Sequence, residues 1–359
     1  MFNWRHVSVK ITANKITMLR IFLLPIPIYM LVYGEIASWW VAFFLFTLLG
    51  ATDFVDGMMA RREGPTVLGS LIDPVADKIF VAAIMLCLAA INVFDIWMAS
   101  AVLFREFLLT ALRSSVAKRD HSIKTSILGK MKTIIQMGGC GTIFLTIVLP
   151  PTGIFWANLA LSLGFLAVAI VYFIKGKKKP FWAIPVFLCF VLVALLGISV
   201  DKPISILVQI SIIITLTWIS AIDYILGSFK LFQQTKLFCG DFYRLLWCFI
   251  YGIMLILSIT SHPSLVIPLL ISISLEFGIA GIDNIILTKN NKFVNWPFIA
   301  SCSYGLLSFA MLYFNNSQAH LYSWLLVLFS SLNVLTFFLI NKNIFTGKAS
   351  EAMRSEEHT

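Results

Sequence analysis

The chain has 359 residues, of which 59% are hydrophobic and 12% charged, and its mean hydropathy is +0.92. Ordinary globular domains are only about half apolar, so this composition excludes a soluble protein and predicts an integral membrane protein with many spans. The formal net charge of +10 would by itself also suit a protein that binds nucleic acid.

The positive charge is distributed as in a membrane protein. Lys and Arg residues are concentrated in alternate loops, whereas the intervening loops near residues 34, 92, 150, 200, 261 and 316 contain only Lys202. Cytoplasmic loops carry such an excess of Lys and Arg. We therefore expect a multi-pass protein of the inner cell membrane with both termini cytoplasmic. Its basic loops would attract anionic lipid headgroups and not nucleic acid.

Apolar segments of about twenty residues, the length that crosses a hydrocarbon core, recur along the chain. They predict about twelve transmembrane helices, and hence an all-α polytopic membrane bundle. In chain order the predicted spans are 16–33, 36–58, 71–91, 94–113, 128–149, 155–174, 181–200, 204–228, 242–260, 264–287, 297–314 and 321–340.

The composition changes near the basic run Lys177 to Lys179. Before this run ionisable residues recur at the ends of the spans, and after it they are few. Pro180 follows directly, as in a linker. We predict one unit at 1–179 with a core of six helices. A second unit at 180–359 would hold about six further spans of unassigned role and a short cytoplasmic tail.

Four aspartates stand out in the apolar stretch DFVDGMMARREGPTVLGSLIDPVAD. Asp53 and Asp56 are three residues apart at the end of one span, and Asp73 and Asp77 are four residues apart near the beginning of the next. Each spacing places two side chains on one face of a helix. A Gly-Pro pair provides a turn between the helices. All four carboxylates are therefore expected in one pocket at the membrane boundary.

Such a cluster of carboxylates is unfavourable, because one Asp at the bilayer centre costs about 2.5–3.5 kcal/mol and neighbouring like charges repel. The aspartates could instead be solvated loop residues that pair with nearby Arg and Lys, but their helical spacing favours a shared pocket. Convergent carboxylate oxygens are ligands that Mg²⁺ and Mn²⁺ prefer. We predict a site for two such ions at Asp53, Asp56, Asp73 and Asp77.

Small residues beside the aspartates indicate what the metal would hold. Gly57, Ala60 and Gly69 would let the backbone approach a nucleotide diphosphate closely, and paired metal ions suit phosphoryl displacement. The motif D-x2-D-G-x2-A-R-x7-G-x3-D-x3-D resembles the signature of the CDP-alcohol phosphatidyltransferase family. The resemblance implies a six-helix membrane enzyme that transfers a phosphatidyl group from CDP-diacylglycerol to an alcohol and releases CMP.

The resemblance also implies roles for the residues of the motif. Asp53, Asp56 and Asp73 would bind the metal ions. Asp77 would complete the metal site and act as the general base that deprotonates the alcohol. The residues that would surround the CDP moiety are Asp56, Gly57, Ala60, Arg61 and Gly69. The family relationship is compatible with a homodimer.

Three further segments resemble the branch of the family that makes phosphatidylglycerol phosphate from glycerol 3-phosphate: NKITMLR (14–20), FREFLLTALR (104–113) and LGKMKTIIQ (128–136). This resemblance implies that Asn14 and Thr17 lie where the lipid substrate enters. Arg105 and Arg113 are eight residues apart on nearly one helix face, and Lys130 begins the next helix from the same side. Such cations suit an acceptor that carries its own phosphate.

Alternatives remain for this assignment. Arg105 could pair with Glu106, although adjacent residues point about 100° apart on a helix, which disfavours that pair. The acceptor could be phosphatidylglycerol, inositol, inositol phosphate or serine. An ion-coupled transporter is a rival from another class, weakened because the acidic motif occurs only once.

The second half raises a separate question. The stretch TLTWISAIDYILGSFK (215–230) resembles the end of the last helix of this branch, although the span 155–174 already occupies that place by length. Either helical hairpins have been inserted or duplicated, or the sixth helix of the family bundle is the span 204–228.

Overall fold

The structure, a computed structural model, describes residues 12–63, 67–117, 127–174, 183–235, 242, 245–247, 249–250, 253, 265–290 and 318–342. Within the described helices some side chains lie outside the description, among them those of Ala60, Arg61 and Lys130. The predicted Gly-Pro turn, the predicted span 297–314 and most of the predicted span 242–260 also lie outside the described residues.

Eleven helices are described, and no strand occurs in the described part of the chain. The bounds are α1 Ala13–Leu23, α2 Pro25–Tyr33, α3 Ile36–Glu63, α4 Val67–Ala90, α5 Ile96–Ala117, α6 Ile127–Val148, α7 Pro151–Ile174, α8 Ala183–Ser199, α9 Lys202–Gln234, α10 Val266–Asn290 and α11 Ala319–Ile340. The prediction of an all-α protein is confirmed.

Several of these helices can cross a membrane. Those that are long and apolar enough among the described residues are Ala13–Tyr33, Ile36–Met59, Pro151–Val171, Lys202–Gln234, Val266–Asp283 and Ala319–Ile340. α4 and α5 have similar lengths, 24 and 22 residues, but carry ionisable residues of the predicted site. The prediction of a polytopic membrane protein is therefore confirmed.

Exposed tryptophans mark one end of the bundle. Trp40, Trp97 and Trp156 lie near the beginnings of α3, α5 and α7, and all three are exposed. Because the helices from α3 to α7 alternate in direction, these beginnings lie at the same end of the bundle. Tryptophan is enriched at membrane–water interfaces, where its apolar ring and its N–H group are both accommodated.

One buried apolar core joins helices from both sides of residue 179. It contains Leu86 of α4, Leu103 of α5, Ile143 of α6, Ile210 of α9 and Phe277 of α10, each almost fully buried. α9 packs along α5 and α6, and α10 packs along α4 and α5. The predicted unit boundary at residue 179 stays a prediction, but the packing of α4, α5 and α6 depends on helices beyond it.

A buried polar cluster fastens α9 to α6. The Thr142 hydroxyl donates to Gln209 Oε1 at 2.9 Å, and Gln209 Nε2 donates to Thr146 Oγ1 at 2.9 Å and to Ser205 Oγ at 3.1 Å. All four side chains are almost fully buried. In lipid, where water cannot replace a lost partner, such hydrogen bonds between helices hold them in a fixed register.

α7 and α8 pack mainly against each other. Phe165 of α7 stacks on Phe190 of α8 with ring centroids 5.2 Å apart. The backbones approach so closely that a Cβ added to Gly197 would lie 2.5 Å from Cγ2 of Ile154. This contact joins the beginning of α7 to the end of α8, so the two helices form an antiparallel hairpin.

The polar cluster should contribute measurably to stability. Gln209→Leu leaves Thr146 and Ser205 without their donor, so we expect the free energy of unfolding to fall by about 1–2 kcal/mol. Unfolding of the purified protein in detergent micelles measures the change. Ser211→Ala is the control, because the Ser211 hydroxyl is exposed and donates to the carbonyl of Leu207 in its own helix. Equal losses in both variants would contradict the assigned role of Gln209.

Candidate active site

The candidate site lies where α1 packs against both α3 and α4. The four aspartates, called here the carboxylate cluster, lie on α3 and α4 (Asp53, Asp56, Asp73 and Asp77). Each lies within roughly ten residues, or about 15 Å, of the place where α3 ends and α4 begins. We call this end of the bundle the site end. α1 contributes Thr17 and Arg20 to the same place.

The guanidinium of Arg20 lies among the carboxylates. Its Nη1 is 2.9 Å from Asp53 Oδ1 and 3.5 Å from Asp77 Oδ1, and its Nη2 is 3.8 Å from Asp56 Oδ2. The Arg20 side chain is only 2% exposed. Because Arg20 lies in the last turn of α1, the helix dipole also favours its positive charge. One arginine therefore ties α1 to both acidic helices.

Thr17 makes the second link, one helical turn before Arg20. Its Oγ1 lies 2.9 Å from Asp56 Oδ2 and 3.1 Å from Asp73 Oδ1, and the residue is fully buried. A hydroxyl has one proton, so it can donate to only one of these carboxylates at a time. Through Thr17 and Arg20 the structure brings all four aspartates into one cluster.

Arg20 was not among the residues predicted for the site. It is the last residue of the NKITMLR segment, of which only Asn14 and Thr17 were given a role. The available signal was the spacing of three between Thr17 and Arg20, which places both on one face of α1. The predicted role of Asn14 and Thr17 at the entrance of the lipid substrate stays a prediction. The observed contacts of Thr17 are with Asp56 and Asp73.

The donor chemistry of the carboxylate cluster fits a divalent cation. One guanidinium does not balance four carboxylates, and Asp77 Oδ1 is buried without a hydrogen-bond partner among the described residues. However, no three His, Cys, Asp or Glu side chains within the described ranges are already arranged to hold a metal ion. The place of a cation among the carboxylates is taken by Arg20.

The other motif residues lie on the same two helices. Gly57 is half-buried on α3 and Gly69 is buried on α4. The backbones of Ala60 and Arg61 continue α3, but their side chains lie outside the described part of the structure. Small residues therefore follow Asp56 and precede Asp73, as the motif requires.

An apolar groove begins beside the carboxylate cluster. It has a volume of about 320 Å³ and is lined by side chains of α3, α4, α6, α7 and α8. Gly50 and Phe80 belong to its lining, and each lies three residues from an aspartate of the cluster, Asp53 and Asp77 respectively. Phe190 of α8 forms part of the same lining.

Arg105 is buried in α5 and has two polar partners. Its Nη1 donates to Glu106 Oε1 at 2.9 Å, and its Nη2 donates to Ser220 Oγ of α9 at 2.9 Å. The expectation that Arg105 would not pair with Glu106 was therefore wrong. The angle between adjacent Cβ atoms does not prevent the pair, because both side chains are long enough to bend together. Burial strengthens their attraction, since few waters compete for either charge.

The other predicted cations lie nearer the site end. Arg113 is exposed near the end of α5, and its side chain interacts with that of Tyr224 on α9. Arg105 and Arg113 are close enough for their charges to repel each other. Lys130 belongs to the first turn of α6, and its side chain lies outside the described residues.

Ser220 and Tyr224 had no predicted role, although they lie in the stretch 215–230, which resembles the end of the last helix of the family branch.

Comparison with known proteins agrees with this geometry. The family model for CDP-alcohol phosphatidyltransferase matches residues 10–173, which include the carboxylate cluster, Thr17 and Arg20. A relative from Bacillus subtilis, named CDP-diacylglycerol–glycerol-3-phosphate 3-phosphatidyltransferase, is 33% identical over 139 residues. The match covers 34% of this chain and 71% of the relative. The chain belongs to the CDP-alcohol phosphatidyltransferase family.

Other relatives of this phosphatidyltransferase have similar names. A probable phosphatidylglycerophosphate synthase of Mycobacterium tuberculosis is 34% identical over 145 residues, covering 39% of this chain and 67% of the relative. A CDP-diacylglycerol–glycerol-3-phosphate 3-phosphatidyltransferase of Rickettsia typhi is 33% identical over 146 residues, covering 38% of this chain and 82% of the relative. No solved structure matches the chain. The protein is therefore an integral-membrane enzyme, and α8 to α11 lie beyond the residues that the family model matches.

Removing the Arg20 charge should destabilise this phosphatidyltransferase. Arg20→Gln leaves the carboxylate cluster without its buried cation, so we expect the free energy of unfolding to fall by roughly 3 kcal/mol. This value is at the lower end of the destabilisation expected when a buried ion pair is broken, because Asp53 and Asp77 are half-exposed and water screens their charges. Denaturation in detergent without divalent ions measures the loss.

Arg62→Gln removes the same charge from an exposed position on α3 and serves as the control. Its effect should stay within about 0.5 kcal/mol. If both variants were equally stable, the guanidinium of Arg20 would not be the cation that holds the cluster together.

Proposed function

We propose that the protein transfers the phosphatidyl group of CDP-diacylglycerol to glycerol 3-phosphate, forming phosphatidylglycerol phosphate and releasing CMP. The observation that carries this proposal is the convergence of four carboxylates around α1 within the segment matched by the family model. The names of the relatives from Bacillus subtilis and Rickettsia typhi support glycerol 3-phosphate as the acceptor.

Asp53, Asp56, Asp73 and Asp77 would hold two divalent ions, Mg²⁺ or Mn²⁺, since carboxylate oxygens are hard ligands. When bound, such ions would neutralise charge on the diphosphate oxygens and on the departing CMP. The positive charge of Arg20 already lies among these carboxylates, so a bound metal ion would share them with the guanidinium or displace it.

The reaction requires a base at the acceptor hydroxyl. Asp77 would accept the hydroxyl proton, because its side chain is half-exposed and the acceptor can therefore reach it. The acceptor oxygen then forms a bond to the lipid-side phosphorus of CDP-diacylglycerol. The bond from that phosphorus to the bridging oxygen breaks, CMP leaves with the electron pair, and the proton passes from Asp77 to solvent.

The remaining parts of the substrates would lie beside the carboxylate cluster. We propose that Asp56, Gly57, Ala60, Arg61 and Gly69 surround the CDP moiety. An acyl chain of the lipid would occupy the apolar groove, which begins one helical turn from Asp53 and Asp77. This arrangement keeps the chain in an apolar environment and the diphosphate beside the charges.

Arg105, Arg113 and Lys130 would bind the phosphate of the acceptor. The Nε of Arg105 is buried and has no hydrogen-bond partner among the described residues, so this donor remains available to an anion. Buried donors without partners are rare in folded proteins, which supports a ligand at this place. The site end would face the cytoplasm, where a soluble sugar phosphate and CMP can exchange.

The acceptor can be tested directly. Purified protein supplied with CDP-diacylglycerol and Mg²⁺ should release CMP with glycerol 3-phosphate, and CMP release should be at least tenfold slower with inositol, inositol phosphate, serine or phosphatidylglycerol, as expected from differential recognition of a phosphate. Chromatographic measurement of CMP, together with mass analysis of the lipid product, checks the result. Faster release with another alcohol would replace glycerol 3-phosphate by that acceptor.

The role of Asp77 gives a second prediction. Asp77→Asn keeps the size of the side chain but removes the base and one negative ligand, so CMP release should fall by at least about 10²-fold. Asp223→Asn is a matched control, because Asp223 is exposed on α9 and carries no proposed role. Chelation of divalent ions should stop the wild-type reaction, and Mg²⁺ should restore it. Undiminished release by Asp77→Asn would eliminate Asp77 as the base.

A further inference from the structure

We propose that α9, and not α7, is the sixth membrane span of the catalytic bundle, where α1 and α2 together count as the first span. In this arrangement Ser220 and Tyr224 of α9 position the arginines that bind the acceptor phosphate. The inference deepens the proposed function and rests on it, because it assumes an acceptor that carries a phosphate. α9 lies beyond the residues that the family model matches.

α9 lies directly against the helix that carries both arginines. Arg105 Nη2 donates to Ser220 Oγ at 2.9 Å, and both residues are more than 90% buried. Phe104 and Trp218 add a ring contact with centroids 5.9 Å apart. A buried hydrogen bond between a guanidinium and a hydroxyl fixes the orientation of the guanidinium plane, since Arg donates in a rigid fork.

The hydroxyl of Ser220 is oriented to accept. Its own proton is donated to the carbonyl of Thr217 at 2.7 Å, so its oxygen presents lone pairs to Arg105. Glu106 holds the other terminal nitrogen of the same guanidinium. Ser220 carries no charge, so it orients Arg105 without adding a negative charge that would compete with a bound phosphate. Among the described residues, the Nε–H of Arg105 has no hydrogen-bond partner.

Tyr224 repeats the arrangement one helical turn further along α9. It lies four residues after Ser220, on the same face, and its side chain interacts with Arg113. Arg113 likewise follows Arg105 on one face of α5. The two pairs occur in the same order along both helices, as parallel helices require. One face of α9 therefore meets both predicted phosphate-binding arginines.

The end of α6 contacts the beginning of α9. Lys202 Nζ, in the first turn of α9, donates to the carbonyl of Ile147 near the end of α6 at 3.1 Å. The α7–α8 hairpin leaves α6 after Leu149 and returns at Val200, so it begins and ends at the same place. An inserted hairpin preserves the direction of the helix that follows. By order along the chain α7 would be the sixth span of the bundle. However, α9 is the helix that packs along α5 and α6, whereas α7 packs mainly against α8.

The test separates binding of the acceptor from binding of the lipid. Ser220→Ala should raise the KM for glycerol 3-phosphate about tenfold, because a hydrogen bond to a charged group is lost, and should leave the KM for CDP-diacylglycerol unchanged. Ser220→Thr retains the hydroxyl and should restore most of the affinity. Tyr224→Phe should also raise the acceptor KM, whereas Ser211→Ala on the exposed face of α9 should leave both KM values unchanged.

The outcomes decide the two proposals separately. If the wild-type protein releases no CMP with glycerol 3-phosphate, the proposed function fails, whatever the variants do. If the wild type is active but Ser220→Ala and Tyr224→Phe leave the acceptor KM unchanged, or raise both KM values equally, the positioning role is overturned. Thermal unfolding of each variant identifies a folding defect. If Ser220→Ala does not fold, Tyr224→Phe and Ser220→Thr still test the inference.

Discussion

The buried ion pairs of Arg20 are the interaction on which the site depends. Four carboxylates at the end of two membrane helices would repel one another, and the surrounding lipid would not screen them. A guanidinium that is 2% exposed and contacts three of them offsets part of this repulsion. α1 must therefore dock between α3 and α4 for the acidic helices to approach each other. The same contacts hold the carboxylates together where a metal ion would need them.

A constraint of the membrane shapes the rest of the bundle in the same way. Buried polar groups in lipid need partners within the protein, because water is absent. Gln209 meets this need by bonding Thr142, Thr146 and Ser205, and in doing so it fixes α9 against α6. On the other side, Lys78 lies with its Nζ 5.4 Å from the ring centroid of Phe277. This contact links α10 to the residue that follows Asp77. Helices from the second half thus support both acidic and basic parts of the site.

Local spacing predicted that the four aspartates would lie close together, since this depends on residues that are near in sequence, while their role as metal ligands stays a prediction. Intervals of three and four placed each aspartate pair on one helix face, and the structure shows all four carboxylates around Thr17 and Arg20. Arg20 was missed because its partners are distant along the chain, and no periodicity reports a contact between α1 and α3. Ser220 was missed for the same reason. The rejection of the Arg105–Glu106 pair was wrong because Cβ directions were used for side chains that are long and flexible.

The open question about the second half has a physical answer in the packing. A hairpin such as α7–α8 can bury its inner face between its own two helices and leave its outer faces to lipid, so it needs little from the bundle. α9 is different, because its buried face carries Gln209, which bonds Thr142 and Thr146 of α6, and Ser220, which accepts from Arg105 of α5. Exposure of this face to lipid would separate the Gln209 amide from the threonines and the Arg105 guanidinium from Ser220, so α9 belongs to the core of the bundle, although it follows the hairpin in sequence.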